Sequence, residues 1–323
     1  MTSSSLTFGS ALLAFSPSLS LLFFLIFPKP QLLILAICAA FAYLLSALFS
    51  SACWWLCTLI PGTDAGWGAL LTVALPGVLC QFAVRCGFCN MYFRVEDVIQ
   101  KSVAKHEAEA RQAVGNSGGG DVHAETNALQ LQLNDLACSL AAGGGYAFLH
   151  SLFLYGTLLA SESGQNYHSG VERDGTLYQP SCSMPSLIHG ALISGMFGIL
   201  DVVWMCCTFY GMRRRSLYGT GSFTRSMKEG LGFWKGLSDS SYGGNASLGL
   251  VVISHLAASL ALAPNMHQEG CKVSLPLLGG IAVLVGILFV KGVNGHFLPE
   301  HQRRRIMGLR TDGDNVTNEH HVD

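Results

Sequence analysis

This sequence is poor in charge. Asp, Glu, Lys and Arg together make up 12% of it, against 50% hydrophobic residues, whereas soluble domains carry about 25% charge. A soluble chain of 323 residues needs charge to cover its surface. A soluble globular domain is therefore excluded, and lipid is left to cover most of the exterior. Net charge is −1, so there is no basic excess to suggest a nucleic-acid partner. Metal-ligand spacing is lacking too. None of the eleven cysteines falls with histidines in a zinc pattern. Most lie in apolar runs (Cys38, Cys53, Cys57, Cys80, Cys138, Cys206, Cys207), where thiols pack as small hydrophobes. Cys86 and Cys89 form a C-x-x-C, but no second pair and no strand–turn–helix context accompany it, so packing is favoured over redox chemistry. No cofactor is implied.

Catalytic patterns are missing as well. An intramembrane aspartyl protease needs two aspartates in facing spans, and only Asp201 lies within one. The His-Glu-x-x-His of zinc proteases is absent. Neither Ser194-Gly195 nor Ser254-His255 supplies a rhomboid-like nucleophile with its base. The chain is read as doing no chemistry alone.

What is present is a series of long apolar runs. About 20 apolar residues of helix cross a bilayer core, and seven runs qualify: 6–27, 31–60, 67–93, 134–160, 184–212, 246–264 and 272–291. The expected fold is all-α, a polytopic bundle of seven transmembrane helices over residues 1–299, followed by a polar tail at 300–323. The first run has no basic residue before it and no small-residue cleavage site after it, so it reads as a retained helix rather than a signal peptide. Pro17 lies inside it and is expected to kink it.

Basic residues set the orientation. Lys29 follows span one; Arg94, Lys101, Lys105 and Arg111 follow span three; Arg213–Arg215, Arg225, Lys228 and Lys235 follow span five. Lys291, Arg303–Arg305 and Arg310 follow span seven, while the opposite side holds only Arg173 and Lys272. The positive-inside rule then puts the N-terminus in the lumen or outside the cell and the C-terminus in the cytosol. On that topology both sequons, at Asn245 and Asn315, face the cytosol and stay unmodified. Cys182 and Cys271 are the only cysteines in outer loops, where an oxidising compartment allows them to pair.

Ionisable groups inside a span are costly, so each is a functional hypothesis by default. Gln81 and Arg85, four residues apart in span three, share a helix face. Asp201 is mid-span in span five and His255 mid-span in span six; His150 and His189 lie in spans four and five. Two readings stand for Arg85: a buried partner, or a side chain that snorkels to the nearby interface. His255 fits a hydrogen bond between helices better than catalysis. Asp201 needs a partner or must take up a proton, and Arg85 and His255 are the candidates. Ala137, Ala141 and Gly145 recur at four-residue spacing in span four, a small-residue stripe on which another helix can pack closely.

These residues resemble the anterior-pharynx-defective (Aph) family, the seven-span subunit of gamma-secretase. Gly9, Phe15-x-Pro17, Pro30 and Trp54 fall at the family's spacing without a gap. Gln81-x-x-x-Arg85 is similar to its Gln-Glu-x-x-Arg, with Phe82 in place of the glutamate. Arg213-Arg214-Arg215 resembles the basic cluster after its fifth span, and Ser254-His255-Leu256 resembles its Ser-His-Leu in span six. The resemblance covers the chain to about residue 290 and implies a non-catalytic scaffold. Its implied partners are a presenilin-like catalytic subunit, a nicastrin-like subunit and a small enhancer subunit, in endoplasmic reticulum, Golgi and plasma or endosomal membranes, with a link to Notch signalling.

Two departures stand out. The family's Gly-x-x-x-Gly-x-x-x-Gly reads here Ala141-x-x-x-Gly145-x-x-x-Leu149, which shifts the expected close approach toward the start of the span. The family's span-five histidine falls on Leu200, so Asp201, its neighbour, is expected to serve as the polar partner instead. A small transporter or seven-span receptor is the competing reading, although no internal repeat of the transporter kind is seen.

Overall fold

A computed structural model describes residues 4–58, 67–113, 135–164, 184–218, 241–266 and 269–293. Among the described residues the chain is helical throughout, without a strand. The helices are α1 (Ser4–Leu21), α2 (Pro30–Thr58), α3 (Trp67–Ala113), α4 (Asp135–Gly164), α5 (Ser186–Tyr218), α6 (Ser241–Leu260) and α7 (Cys271–Val293). Six of them contain a segment long and apolar enough to cross a membrane. The remaining one, α3, runs for 47 residues. Its apolar first half continues without a break into the mixed-charge stretch after Arg94.

Helix α1 stays regular through Pro17, then widens into a single π-helical turn, Leu22–Ile26, before the short link to Pro30. The first turn of a helix is where proline is best tolerated, and α2 begins on Pro30. The turn Ala263–Met266 and the residues up to Gly270 join α6 to α7.

Helix α5 is the hub. It packs most extensively on α4 and also meets α1, α3, α6 and α7. In its most apolar stretch 72% of residues are buried inside the chain, against 17% for α7. Large apolar side chains such as Phe24, Phe41, Trp55, Ile253 and Val283 are exposed on the outer helices. In water that distribution would aggregate; in a bilayer it is the lipid-facing shell.

Three consecutive glycines bring α4 against its neighbours. Each step along an α-helix turns about 100°, so adjacent residues face different partners. A Cβ on Gly143 would lie 2.8 Å from the Val202 Cα of α5, and one on Gly145 would collide with the Ala36 carbonyl of α2. A Cβ on Gly144 would meet Leu21 and Ile26 at ordinary contact distance, 3.4 Å. Ala141 is fully buried in the same core, with Ala137 at its edge. The tightest backbone approaches therefore fall on the glycine run, farther along α4 than the start of the small-residue stripe.

Candidate functional site: a buried polar node

Asp201 lies halfway along α5, on the face that also carries Trp204 and Thr208, as i, i+3 and i+7 spacing requires. It is completely buried. Arg85 of α3, equally buried, donates from Nη2 to Asp201 Oδ1. His150 of α4 places Nδ1 2.5 Å from Asp201 Oδ2, so both carboxylate oxygens are engaged. On the other side of the guanidinium, Arg85 Nη1 lies 3.4 Å from His255 Nδ1 on α6. Arginine has only donors, so this contact requires His255 to accept at Nδ1 and carry its proton on Nε2. His255 meets Arg85 rather than Asp201.

Aromatic rings enclose the charges. The Arg85 guanidinium lies 4.4 Å from the Tyr146 ring centroid and 5.3 Å from that of Trp204, within the range of cation–π attraction. The His255 ring stacks on Trp204 at 4.2 Å, and Tyr43 of α2 stacks on His150 at 5.1 Å. The indole Nε1 donates to Ser254 Oγ at 2.8 Å, and that hydroxyl donates to the Leu250 carbonyl at 2.6 Å. The hydroxyls of Tyr146 and Ser46 are 3.1 Å apart, and Ser46 donates to the Tyr43 carbonyl, so Tyr146 is the donor to Ser46. The node thus joins α2, α3, α4, α5 and α6.

Arg85 does not snorkel, and helix geometry gives the reason. Side chains on an α-helix lean toward its N-terminus. The nearer polar end of α3 lies on its C-terminal side, so the side chain leans away from that interface and into the bundle. Gln81, one turn earlier, remains outside the node; its Oε1 is buried with no hydrogen-bond partner among the described residues. His189 is buried on α5 away from these contacts.

A second cluster ties the bundle where α3 and α5 leave it and α4 begins. Arg213 grips Asp135 with two hydrogen bonds, Nε to Oδ2 at 3.0 Å and Nη2 to Oδ1 at 2.7 Å, and reaches Glu96 Oε2 at 2.5 Å. Its guanidinium also lies 3.9 Å over the Phe93 ring. Asp135 is in the first turn of α4, where its charge also favours the helix dipole; Arg213 lies five residues before the end of α5. Arg214 is buried, with its guanidinium 5.2 Å from the Tyr210 ring. The arginine cluster read as a topology signal is therefore also part of the packing.

Sequence reasoning underused His150 and did not single out Tyr146, Trp204, Asp135 or Glu96. One signal was available: Tyr146 and His150 are four residues apart on one face of a span otherwise rich in small residues. Cys86 and Cys89 are both free thiols, and Cys89 is buried in the core. Cys271 is disulfide-bonded; Cys182 lies outside the described residues, as do Asn315 and the tail at 300–323. Among the described residues no group of three or more His, Cys, Asp or Glu side chains is placed to hold a metal. An Arg–Asp pair with two flanking histidines, enclosed by aromatic rings, is suited to locking helices together.

Comparison with known proteins extends over nearly the whole chain. The family model described as Aph-1 protein matches residues 5–296. A relative in Arabidopsis thaliana, "Gamma-secretase subunit APH1-like", is 25% identical over 277 residues, covering 85% of this chain and 88% of the relative.

Proposed function

Because the chain belongs to the Aph-1 family, we propose that it is a non-catalytic scaffold subunit of a gamma-secretase-like intramembrane aspartyl protease, supporting assembly and stability of the complex. The observation that carries this reading is the state of Asp201. Both of its oxygens are taken, by Arg85 and His150. A catalytic carboxylate must face substrate or a reacting water and change its protonation through the cycle. Asp201 instead neutralises a buried arginine.

In this role the node holds five helices in one arrangement, and the outer faces of the bundle are left to lipid and partner helices. Asp201 takes the place of the family's span-five histidine, which falls on Leu200 here. Arg85, His255 and Asp201 act as positioning residues; Gly143 and Gly145, with Ala141 in the same core, set the helix spacing on α4. The partners are a presenilin-like catalytic subunit, a nicastrin-like subunit and a small enhancer subunit. The N-terminus lies in the lumen or outside the cell, the Arg213 end of the bundle faces the cytosol, and Cys271 pairs with Cys182 on the outer side. The complex occupies endoplasmic reticulum, Golgi and plasma or endosomal membranes.

The test is affinity purification of the full chain from membranes in mild detergent, with mass spectrometry of what accompanies it. Presenilin-like and nicastrin-like chains in stoichiometric amounts are the expected result. A chain recovered alone in repeated mild preparations would overturn the proposal. A glycosidase-sensitive mass shift mapped to Asn315 would invert the topology without touching the scaffold reading.

A further inference from the structure

Of the nine described free cysteines, two on different helices stand sulfur to sulfur. Cys53 Sγ of α2 is 3.6 Å from Cys80 Sγ of α3. Both are partly exposed rather than sealed in the core, unlike Cys89, Cys138, Cys206 and Cys207. A disulfide needs the sulfurs about 2.05 Å apart, so the pair must close by about 1.5 Å. The helices already hold the two sulfurs near van der Waals contact.

The position along the helix matters. Cys53 is twenty-three residues beyond Pro30 on a continuous helix, which at 1.5 Å per residue is about 35 Å. That spans a hydrocarbon core of about 30 Å. Cys53 therefore sits at the far rim if Pro30, beside Lys29, marks the near one. Trp54 and Trp55 follow it, with 50% and 60% of their surface exposed. Tryptophans enriched at membrane–water interfaces mark such a rim. Successive crossings put the start of α7 at the same end of the bundle, and Cys271 there is disulfide-bonded. A bonded cysteine at that end is what an oxidising compartment produces.

We propose that Cys53 and Cys80 form a redox-modifiable pair at the lumenal rim, closing to a disulfide that ties α2 to α3 when a small-molecule disulfide is present. The reaction is thiol–disulfide exchange. The Cys53 thiolate attacks one sulfur of a disulfide such as oxidised glutathione and expels one glutathione thiolate, leaving a mixed disulfide. The Cys80 thiolate then attacks the Cys53 sulfur and expels the second. The two thiol protons end on the two glutathione molecules, so two protein thiols and one oxidised glutathione give one protein disulfide and two reduced glutathiones. Because Cys80 shares α3 with Arg85, the link also fixes the helix that carries the buried arginine.

The location rests on the N-out topology proposed above, whereas the pairing rests on the 3.6 Å geometry. The test uses the full chain in sealed membrane vesicles of each orientation, exposed to oxidised or reduced glutathione, which do not cross the bilayer. The chain is then denatured in the presence of a maleimide-polymer mass tag, and tags per chain are counted. The expected result is two tags fewer after oxidised glutathione, only when it bathes the lumenal face, together with a Cys53–Cys80 cross-linked peptide in mass spectrometry. Cys53→Ser abolishes the loss, Cys80→Ser limits it to one tag held as a glutathione adduct on Cys53 without any cross-linked peptide, and Cys57→Ser leaves the two-tag loss intact, with all three chains eluting as the parent does in size exclusion. An unchanged tag count on both faces, or a two-tag loss that persists in Cys80→Ser, overturns the pairing. A loss only from the face that carries Arg213 keeps the pairing and overturns its lumenal placement.

Discussion

Among the described residues, two arginine–carboxylate clusters tie helices together, and they differ in where they sit. The Arg85–Asp201 pair is fully enclosed inside the bundle, with His150 and His255 beside it. The Arg213 cluster sits at the end of the helices, with side-chain exposures of 11% for Arg213, 7% for Glu96 and 15% for Asp135. Water can relax around the second when a partner is lost; nothing can relax around the first. A buried ion pair adds little net stability over an apolar replacement, yet leaving one of its charges alone is severe. The enclosed node is thus better understood as a device for a unique arrangement than as a store of energy.

That contrast gives a ranking to be broken. Arg85→Leu or Asp201→Leu alone should cost about 3–5 kcal/mol, because each strands a buried charge. Heat- or denaturant-induced unfolding of the purified chain in detergent reads this out. Arg85→Leu/Asp201→Leu should recover most of the loss; a double variant as unstable as the sum of the singles would show that the two residues act separately.

Arg213→Ala should cost about 1.5–3 kcal/mol, the range for charge-assisted hydrogen bonds. Raising salt from about 0.1 M to 1 M shortens the Debye length from about 10 Å to 3 Å. It should shrink the Arg213 penalty and leave the Arg85 penalty unchanged; equal salt sensitivity in the same unfolding assay would erase the distinction drawn here.

Packing supplies the next step down. Gly145→Ala forces a methyl group into the Ala36 carbonyl, and overpacking costs about 1–3 kcal/mol. Gly87→Ala meets nothing within 4 Å and serves as the matched control, neutral or stabilising by up to about 1 kcal/mol. Smallest of all is Lys101→Ala, which removes a pair to Asp97 in which both side chains are well exposed, 74% and 60%. Such pairs are worth about 0.5 kcal/mol or less, so its melting temperature should match the parent's.

The membrane fold was legible in the sequence because a bilayer imposes a rule that composition alone can report: long apolar helices with internally satisfied backbones. The run of α3 past Arg94 into charged sequence was harder to delimit, since helix propensity continues where hydropathy stops. That Asp201 needs a cationic or polar neighbour follows from its burial in a span, and Arg85 and His255 were the residues within reason. Which of them touches it depends on how α3 and α6 are rotated against α5, and that register is a tertiary fact. His150 was hidden for the same reason: it reaches Asp201 across an α4–α5 interface that Gly143 brings close at Val202. The stripe at four-residue spacing describes one face of α4, whereas Gly143, Gly144 and Gly145 serve three. Arg213 shows the opposite difficulty: its charge is easy to read as a topology signal, and nothing in the local sequence tells that Asp135 and Glu96 converge on it.

The central claim is that the buried node positions helices for assembly and does no chemistry. Its most direct test is recovery of a presenilin-like subunit with the affinity-tagged chain, compared for the parent, Asp201→Leu and Arg85→Leu/Asp201→Leu at matched expression. The account predicts strong recovery with the parent, at least a tenfold loss with Asp201→Leu, and substantial restoration with the double variant, which has no buried charge left to strand. Recovery with Asp201→Leu equal to that of the parent would contradict it.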